Sequence, residues 1–485
     1  MDRRVFLKSS ACAATLAALD FPALAVKGKS RGKCRLKVGI LVDVLVRHAH
    51  SEEKFLKALK YFRDNRVDAV LMAGDLIENG LLDQYETAVR AWHSVFPDDR
   101  YPDGTRVERL FIYGNHEIEG WRYKSTAVQY ENEAYRKRNA IGFQKEKVWE
   151  DFWHEKWEPV YLKEIKGYVF IGAHYYDKWH VPGLEEFFDS VKDRLPSGNK
   201  PFFYFQHPHP KGTCSAPWVW GQDNGKSTAL LSKYPNVIAL SGHSCTPITD
   251  ERSIWQGEFT SVGCGALCYV IPTGGRENTD VYHAREKAPS QMKPIINFDA
   301  PQGMIMEVYD DRVLFRRHEF TFDEDLGTWD VPTDISKRPY SFEYRREHEP
   351  APRFPADAAV EVSAPKLGKD RSGAEQNQVT VSFPSAPSTQ DSPRALDYEI
   401  QIEEAGVDVF LGVLTKRVFS ERYVFGEKKD ADIPVRCIFS VDELPKDKPY
   451  RYAVRPCNSF GRKGEAIYSK LFGELPVPLE YIKSL

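Results

Sequence analysis

No stretch of the chain approaches the roughly 20 consecutive apolar residues that a helix needs to span a bilayer, so no transmembrane span is expected. An excess of either charge is also missing. Lys and Arg number 67 and Asp and Glu 70, and the resulting net charge of -3 leaves no basic footprint for nucleic acid. Cysteine is scarce, and eight in 485 residues are too few for a disulfide scaffold. Internal repeats and low-complexity tracts are absent. What remains is 42% hydrophobic and 28% charged, a soluble globular composition with enough chain for two or three domains.

The first residues read as an address. Asp2-Arg3-Arg4-Val5-Phe6-Leu7-Lys8 is followed by an alanine-rich stretch, Ser9 to Leu19, and then by Ala23-Leu24-Ala25. A positive segment, a short apolar segment and a small-x-small site make a bacterial export signal over residues 1–25. The adjacent arginines before Phe-Leu-Lys resemble the twin-arginine type, which implies a periplasmic or extracellular protein. Cys12 lies inside this segment and makes no lipoprotein box. Its removal leaves an odd number of cysteines in an oxidising compartment, so at least one is expected to stay unpaired, with Cys245 the candidate.

From Leu36 onward strands and helices alternate. Apolar strands are expected at 36–42, 67–73, 110–113, 168–173, 202–206 and 237–240. Residues 51–64 read as a helix, with Phe55, Ala58, Leu59 and Phe62 on one face, and a second helix is expected around 84–93. Residues 118–160 read as a helical insertion, and a hairpin of 304–308 with 313–316 closes the unit at about residue 347. Pro350, Pro352 and Pro355 mark a linker, after which only strand patterns appear, over 353–475. Val379, Val381 and Phe383 share one strand face, as do Tyr398, Ile400 and Ile402. Leu444-Pro445 before Tyr450 resembles the fibronectin type III module, with Tyr450 as its corner tyrosine and Phe383 where an early tryptophan would stand.

Polar residues gather just beyond the apolar strands, at Asp43, Asp75, Asn115, His207 and His243. In an α/β sheet, strand carboxyl ends converge on one rim. Carboxylates, an amide oxygen and imidazoles together suit zinc, manganese or iron better than magnesium or calcium. His48, His50, His174 and His209 are further histidines near strand ends, the last two being candidates for phosphate contact. Trp179, Trp218, Trp220 and Trp255 are candidates to line a cleft. Gly221 to Ser227 resembles a phosphate loop but is one residue short and follows no apolar strand. Cys264 and Cys268 lack the second pair that a structural zinc site requires.

In order and spacing, residues 36 to 320 resemble the calcineurin-like metallophosphoesterases. The motif order Asp-x-His, Gly-Asp, Gly-Asn-His-Asp/Glu, His, Gly-His-x-His reads here as Asp43-Val44-Leu45, Gly74-Asp75, Gly114-Asn115-His116-Glu117, His207 and Gly242-His243-Ser244-Cys245. The resemblance implies a two-layered β-sandwich core flanked by helices, with a C-terminal all-β immunoglobulin-like sandwich after it. It implies a second-metal set of Asp75, Asn115, His207 and His243, complete in this sequence. It implies a first-metal set in which Asp43 and Asp75 remain but leucine and cysteine replace two histidines, at Leu45 and Cys245. Cys245 is then either a thiolate ligand favouring zinc or a small buried thiol, and His48 or His50 is a possible substitute ligand. His116 is the implied general acid, with Glu117 orienting its imidazole.

These residues describe an exported phosphoesterase acting on a small phosphate monoester or diester with one or two divalent ions. The alternative is an impaired relative that keeps one ion and binds a phosphorylated or glycan ligand. A protein partner for the C-terminal sandwich also stays open.

Overall fold

The computed structural model describes residues 32–124, 130–176, 181–215, 221–272, 275–278, 300–370, 372–389, 392–406, 409–427 and 434–473. The expected export signal, residues 1–25, lies outside them. Among the described residues no helix is long and apolar enough to cross a membrane.

The first sheet is built on three parallel strands, β1 (Leu36–Leu41), β2 (Ala69–Ala73) and β3 (Glu108–Ile112). Their near-continuous apolar runs suit strands covered on both faces. In chain order, the second sheet comprises β4 (Val160–Ile165), β5 (Tyr168–Ala173), β6 (Phe202–Phe205), β7 (Val237–Ser241), β8 (Ile254–Gln256) and β9 (Thr260–Gly263). Its strand order is β4-β5-β6-β7-β9-β8. Three antiparallel strands, β10 (Gln302–Val308), β11 (Arg312–Glu319) and β12 (Glu324–Pro332), complete the first sheet in the order β12-β11-β10-β1-β2-β3. The expected hairpin is therefore a three-strand meander. Gly327 breaks the alternation of β12, yet Leu326, Trp329 and Val331 are buried between the sheets.

The sheets face each other across one apolar layer. Val38, Ile40 and Leu71 from the first meet Phe170, Phe203, Phe205 and Leu240 from the second. Helices cover the outer faces. α1 (Ala49–Asp64) and α2 (Leu82–Val95) bring Phe55, Leu59, Phe62, Tyr85 and Trp92 onto Val70, Met72 and Phe111. On the second sheet, Phe188 and Leu230 from helices Leu184–Val191 and Lys226–Leu231 pack on Ile171 and Tyr204. The core is thus a two-layered β-sandwich flanked by helices, and all its parallel strands end toward the same rim.

The C-terminal strands are β13 (Glu361–Val362), β14 (Lys366–Lys369), β15 (Glu375–Phe383), β16 (Asp397–Ala405), β17 (Phe410–Phe419), β18 (Val435–Ser440), β19 (Tyr450–Cys457) and β20 (Ile467–Tyr468). They form two antiparallel four-stranded sheets, β13-β15-β14 with β18, and β17-β16-β19-β20. Val379, Val381 and Phe383 face Tyr398, Ile400 and Ile402 in a shared core, as their alternation implies. The Tyr450 ring stacks on Phe472 at 5.3 Å between centroids.

This sandwich packs against the segment that follows the fifth motif. Tyr423 Oη donates to Asp250 Oδ2 at 2.9 Å, and Thr249 Oγ1 donates to the Tyr423 carbonyl. Gln302 accepts from Ile248 N at 2.8 Å while its amide donates to the Val424 carbonyl at 2.9 Å. Beside them Glu251 accepts from Arg317, Arg345 and Trp329 at 2.7, 2.7 and 2.9 Å. Burial pushes the Glu251 carboxyl up, but Arg317 and Arg345 outweigh it and hold it well below the ordinary 4.5. A depressed folded value means stability that is fully present above 4.5 and lost as pH falls below it. Glu251→Gln is expected to lower the urea midpoint at neutral pH by about 2–4 kcal/mol of stability and to flatten its acid limb. Unchanged acid dependence would show that other carboxylates set it.

Candidate metal centre

The five motif loops meet at the strand rim because glycines let two of them touch. Gly74 has φ +93°, and a Cβ there would lie 2.6 Å from His207 Nδ1 and 2.8 Å from Gly114 Cα. A Cβ on Gly114 would collide with Asp75 Oδ1 and lie 2.6 Å from the Asp75 amide nitrogen. The glycines of Gly-Asp and Gly-Asn are therefore steric requirements of the site. Asp43, Asp75 and His243 themselves adopt positive φ, as do Leu45 and Cys245 at +52° and +51°. Backbone in this region is costly for residues with a Cβ and concentrates at functional sites.

Asp75, His207 and His243 are buried, and one ligand atom from each lies within 4.8 Å of the other two. Among the described residues this is the sole such group of three or more His, Cys, Asp or Glu side chains. His207 Nε2 is 2.9 Å from Asp75 Oδ2 and 3.1 Å from His243 Nδ1. On its far side, His207 Nδ1 is 2.8 Å from the Ala73 carbonyl, which fixes the proton at Nδ1 and turns Nε2 to the cluster. Burial would lower the His207 imidazole, but Asp75 raises it to about 9. The same pairing works on Asp75. Burial pushes its carboxyl up, yet His207 and His116 outweigh that and hold it below the usual range. Burial and the neighbouring His207 keep His243 neutral. Asp75, His207 and His243 would hold a divalent ion in place of the proton that His207 shares with Asp75.

Asn115 opens the short helix α3 (Asn115–Glu119), and its amide nitrogen donates to Tyr123 Oη at 2.8 Å. That bond sets the amide orientation and leaves Asn115 Oδ1 buried with no hydrogen-bond partner. A buried, unpaired carbonyl oxygen on the residue before His116, whose amide donates to Asp75 Oδ1, fits an oxygen ligand to a cation. Together the amide oxygen, carboxylate and imidazoles form a donor set suited to zinc, manganese or iron.

His116 follows, with its backbone amide donating to Asp75 Oδ1 at 2.9 Å. Its Nδ1 is clamped by the Glu78 carbonyl and its Nε2 stands 3.9 Å from Asp75 Oδ2. Burial lowers this imidazole, but Asp75 and Glu78 raise it more, so the protonated form is favoured. Glu117 does not touch the His116 ring as expected. Its fully buried carboxylate accepts from the amides of Asp75, Ile77 and Gly114 at 3.1, 3.0 and 2.7 Å. It ties the second and third motif loops together, while Glu78 does the orienting.

The first-metal side is different. Asp43 Oδ2 accepts from the His243 amide at 2.9 Å, and burial, with Asp75 adding to it, pushes its carboxyl up to about 6. Leu45 is buried in the core and its amide donates to the Asp75 carbonyl at 3.0 Å. Cys245 packs with Ala266 and Ile271, and burial, reinforced by Asp43 and Asp75, raises its thiol well above the ordinary value. The thiol does not join the two aspartates in a group of metal-ligating spacing. His48 and His50 are engaged elsewhere. His48 caps α1, its Nδ1 accepting from Ser51 N at 3.3 Å, and exposed His50 lies 3.8 Å from Glu53.

Other candidates divide similarly. His174 Nδ1 accepts from the Tyr113 amide at 3.0 Å within an aromatic shell, and burial lowers it to about 3. It is a core residue and not a phosphate ligand. His209 is buried, lowered to about 4 by burial, and its Nε2 has no partner. Trp255 packs edge-on to Phe259, while Trp179, Trp218 and Trp220 lie outside the described residues. Gly221 lies against His243, where a Cβ would come within 3.1 Å of Nε2, so the discounted glycine segment borders the site without cradling phosphate. Cys34, Cys214, Cys245, Cys264, Cys268, Cys437 and Cys457 are all free, a wider absence of pairing than the odd count required. Tyr123 and Glu78 were missed because neither belongs to a motif. The insertion and a loop carbonyl bring them to the site.

With the site in view, residues 44–247 match the family model of the calcineurin-like phosphoesterases and form a phosphoesterase domain of that kind. The match spans less than half of the 485 residues. Solved structures that this chain resembles include the GAP50 anchor of the inner membrane complex of Plasmodium, at 11% identity and TM-score 0.37, covering 62% of this chain and 89% of that one. A dimetal phosphatase from Danio rerio gives 10% identity and TM-score 0.35, covering 62% of this chain and 100% of that one. Vacuolar protein sorting 29 from Cryptosporidium parvum gives 9% and 0.27, covering 62% and 97%. Likenesses this distant carry no functional argument. No curated protein matches the chain.

Proposed function

We propose that this protein is an exported metal-dependent phosphoesterase that works through a single well-formed ion site, the first-metal site being degenerate. The observation that carries the reading is the Asp75, His207 and His243 cluster together with a buried, partnerless Asn115 Oδ1 on the residue before His116, whose amide donates to Asp75 Oδ1. Those residues would hold the ion. When bound, a divalent ion there supplies Lewis-acid polarisation of a phosphoryl oxygen and neutralises developing charge.

The chain's own residues do the rest. Asp75, shared between the ion set and His116, holds both at one point of the rim. His116 stays oriented through Glu78 and, in its protonated form, donates from Nε2 to the departing oxygen. The Arg3-Arg4 leader supports export, and the Leu444-Pro445-Tyr450 spacing supports a fibronectin type III-like module. The module's contacts to Asp250, Thr249 and Gln302 brace the chain just beyond His243.

The test is metal content of the purified protein together with phosphatase and phosphodiesterase assays. One ion per chain with turnover is expected. No ion, or no turnover on any ester with an ion bound, would sink the reading. Leu45→His with Cys245→His should bring a second ion and raise turnover by about tenfold or more, because both positions keep positive-φ backbone. Unchanged metal content would show that backbone alone does not rebuild that site.

A further inference from the structure

We infer that Arg47, with Lys54 behind it, supplies on the first-metal side the positive charge that binds the substrate's phosphoryl oxygens, and that the substrate is therefore a dianionic phosphate monoester. The inference rests on the reading above.

The loops after β1 and β2 run side by side past their metal-type aspartates and are joined by a parallel bridge, Val46 to Ile77. The residues that follow the bridge on each loop, Arg47 and Glu78, form an ion pair at 4.0 Å, with the Arg47 side chain 35% exposed. A separation of 4.0 Å is Coulombic contact without a hydrogen bond. The Glu78 carbonyl clamps His116 Nδ1 while the Glu78 carboxylate pairs with Arg47, so one residue links the two side chains. The second cation approaches from α1. Lys54 Nζ donates to the Cys268 carbonyl at 3.0 Å, and the Cys268 amide donates to the Asp43 carbonyl at 3.0 Å. Arg47, Lys54, Glu78 and Asp43 all bear electrostatically on the buried Cys268 thiol, which in turn acts on Cys245, so both basic side chains gather with Asp43 around one residue.

The chemistry follows from charge. With one ion, a phosphate monoester would bring two negative charges to a site that already contains Asp43 and Asp75. A planar guanidinium that can take two phosphoryl oxygens at once answers that excess. A diester carries one charge and offers fewer free oxygens, so it gains less from the same group.

The experiment uses the full metal-loaded chain, Arg47→Met and Arg47→Lys, and, separately, Lys54→Met. Calorimetry measures inorganic phosphate binding, and kcat/KM is compared on p-nitrophenyl phosphate and its bis-p-nitrophenyl diester. Arg47→Met should retain its ion, weaken phosphate binding by about tenfold or more, and lower monoester kcat/KM at least as far. Its diester kcat/KM should change by less than about threefold, Arg47→Lys should recover part of the loss, and Lys54→Met should show a smaller version of the same pattern. Equal losses on both esters, or phosphate binding unchanged in Arg47→Met while the wild type turns over, would overturn the inference alone. A wild type that holds its ion yet turns over neither ester would instead overturn the single-ion reading and this inference with it.

Discussion

Asp75→Asn is expected to abolish ion binding and to lower phosphoesterase turnover by about a thousandfold or more. Asp75 is the one carboxylate within the compact cluster, and its Oδ2 is the atom that both His207 and His116 face. An asparagine keeps the volume and can still accept from the His116 amide, which Asp75 Oδ1 now does at 2.9 Å. What it removes is the negative charge that would hold an ion and that raises the His116 imidazole. The loss should therefore show in two independent measurements, metal content by elemental analysis and the rate on the best ester. A variant that retained its ion and most of its rate would place the essential carboxylate at Asp43 instead.

Glu117→Ala is expected to cost about 3 kcal/mol or more of folding stability and to empty the ion site with it. Its carboxylate accepts from three buried amides, and truncation would leave Asp75 N, Ile77 N and Gly114 N facing a cavity. Unsatisfied buried groups of this kind cost about 1–3 kcal/mol each when no water reaches them. Glu117→Gln should recover part of the loss, because one of its two terminal atoms still accepts. Urea midpoints for the three proteins check the order wild type, Gln, Ala. Wild-type stability in the alanine variant would show that solvent replaces the carboxylate and that the loops are held elsewhere.

The two variants separate what was legible in the chain from what was not. Asp75 and Asn115 could be named in advance because metal chemistry restricts residue types and strand ends restrict position, and both restrictions leave a local pattern. The role of Glu117 could not. The pattern Gly-Asn-His-Glu fixes which residue stands beside His116, but helix α3 turns consecutive side chains in different directions. One of them faces the cleft and the next faces the interior. Cys245 was ambiguous for a related reason. A thiol three residues beyond Gly242 is equally compatible with ligation and with packing, and only its neighbours Ala266 and Ile271 decide. His48 could not be excluded as a ligand until α1 was seen to begin beside it, with His48 as its cap. The hairpin near residue 310 was legible as a pair of apolar strands, whereas β12 was hidden by exposed positions at Asp325, Gly327 and Thr328.

By itself the sequence determined the alternation of strands and helices, the change to an all-β region after the prolines, the polar residues gathered just beyond the apolar strands, and the identities of Leu45 and Cys245. These depend on side-chain type and periodicity, which are local. The tertiary structure decided which of those residues meet, which carbonyls clamp His207 and His116, and that the cysteines among the described residues are free. It also paired Arg47 with Glu78 and set Lys54 on the Cys268 carbonyl. Such relations join loops far apart in the chain, and their geometry follows from how the two sheets and their helices pack.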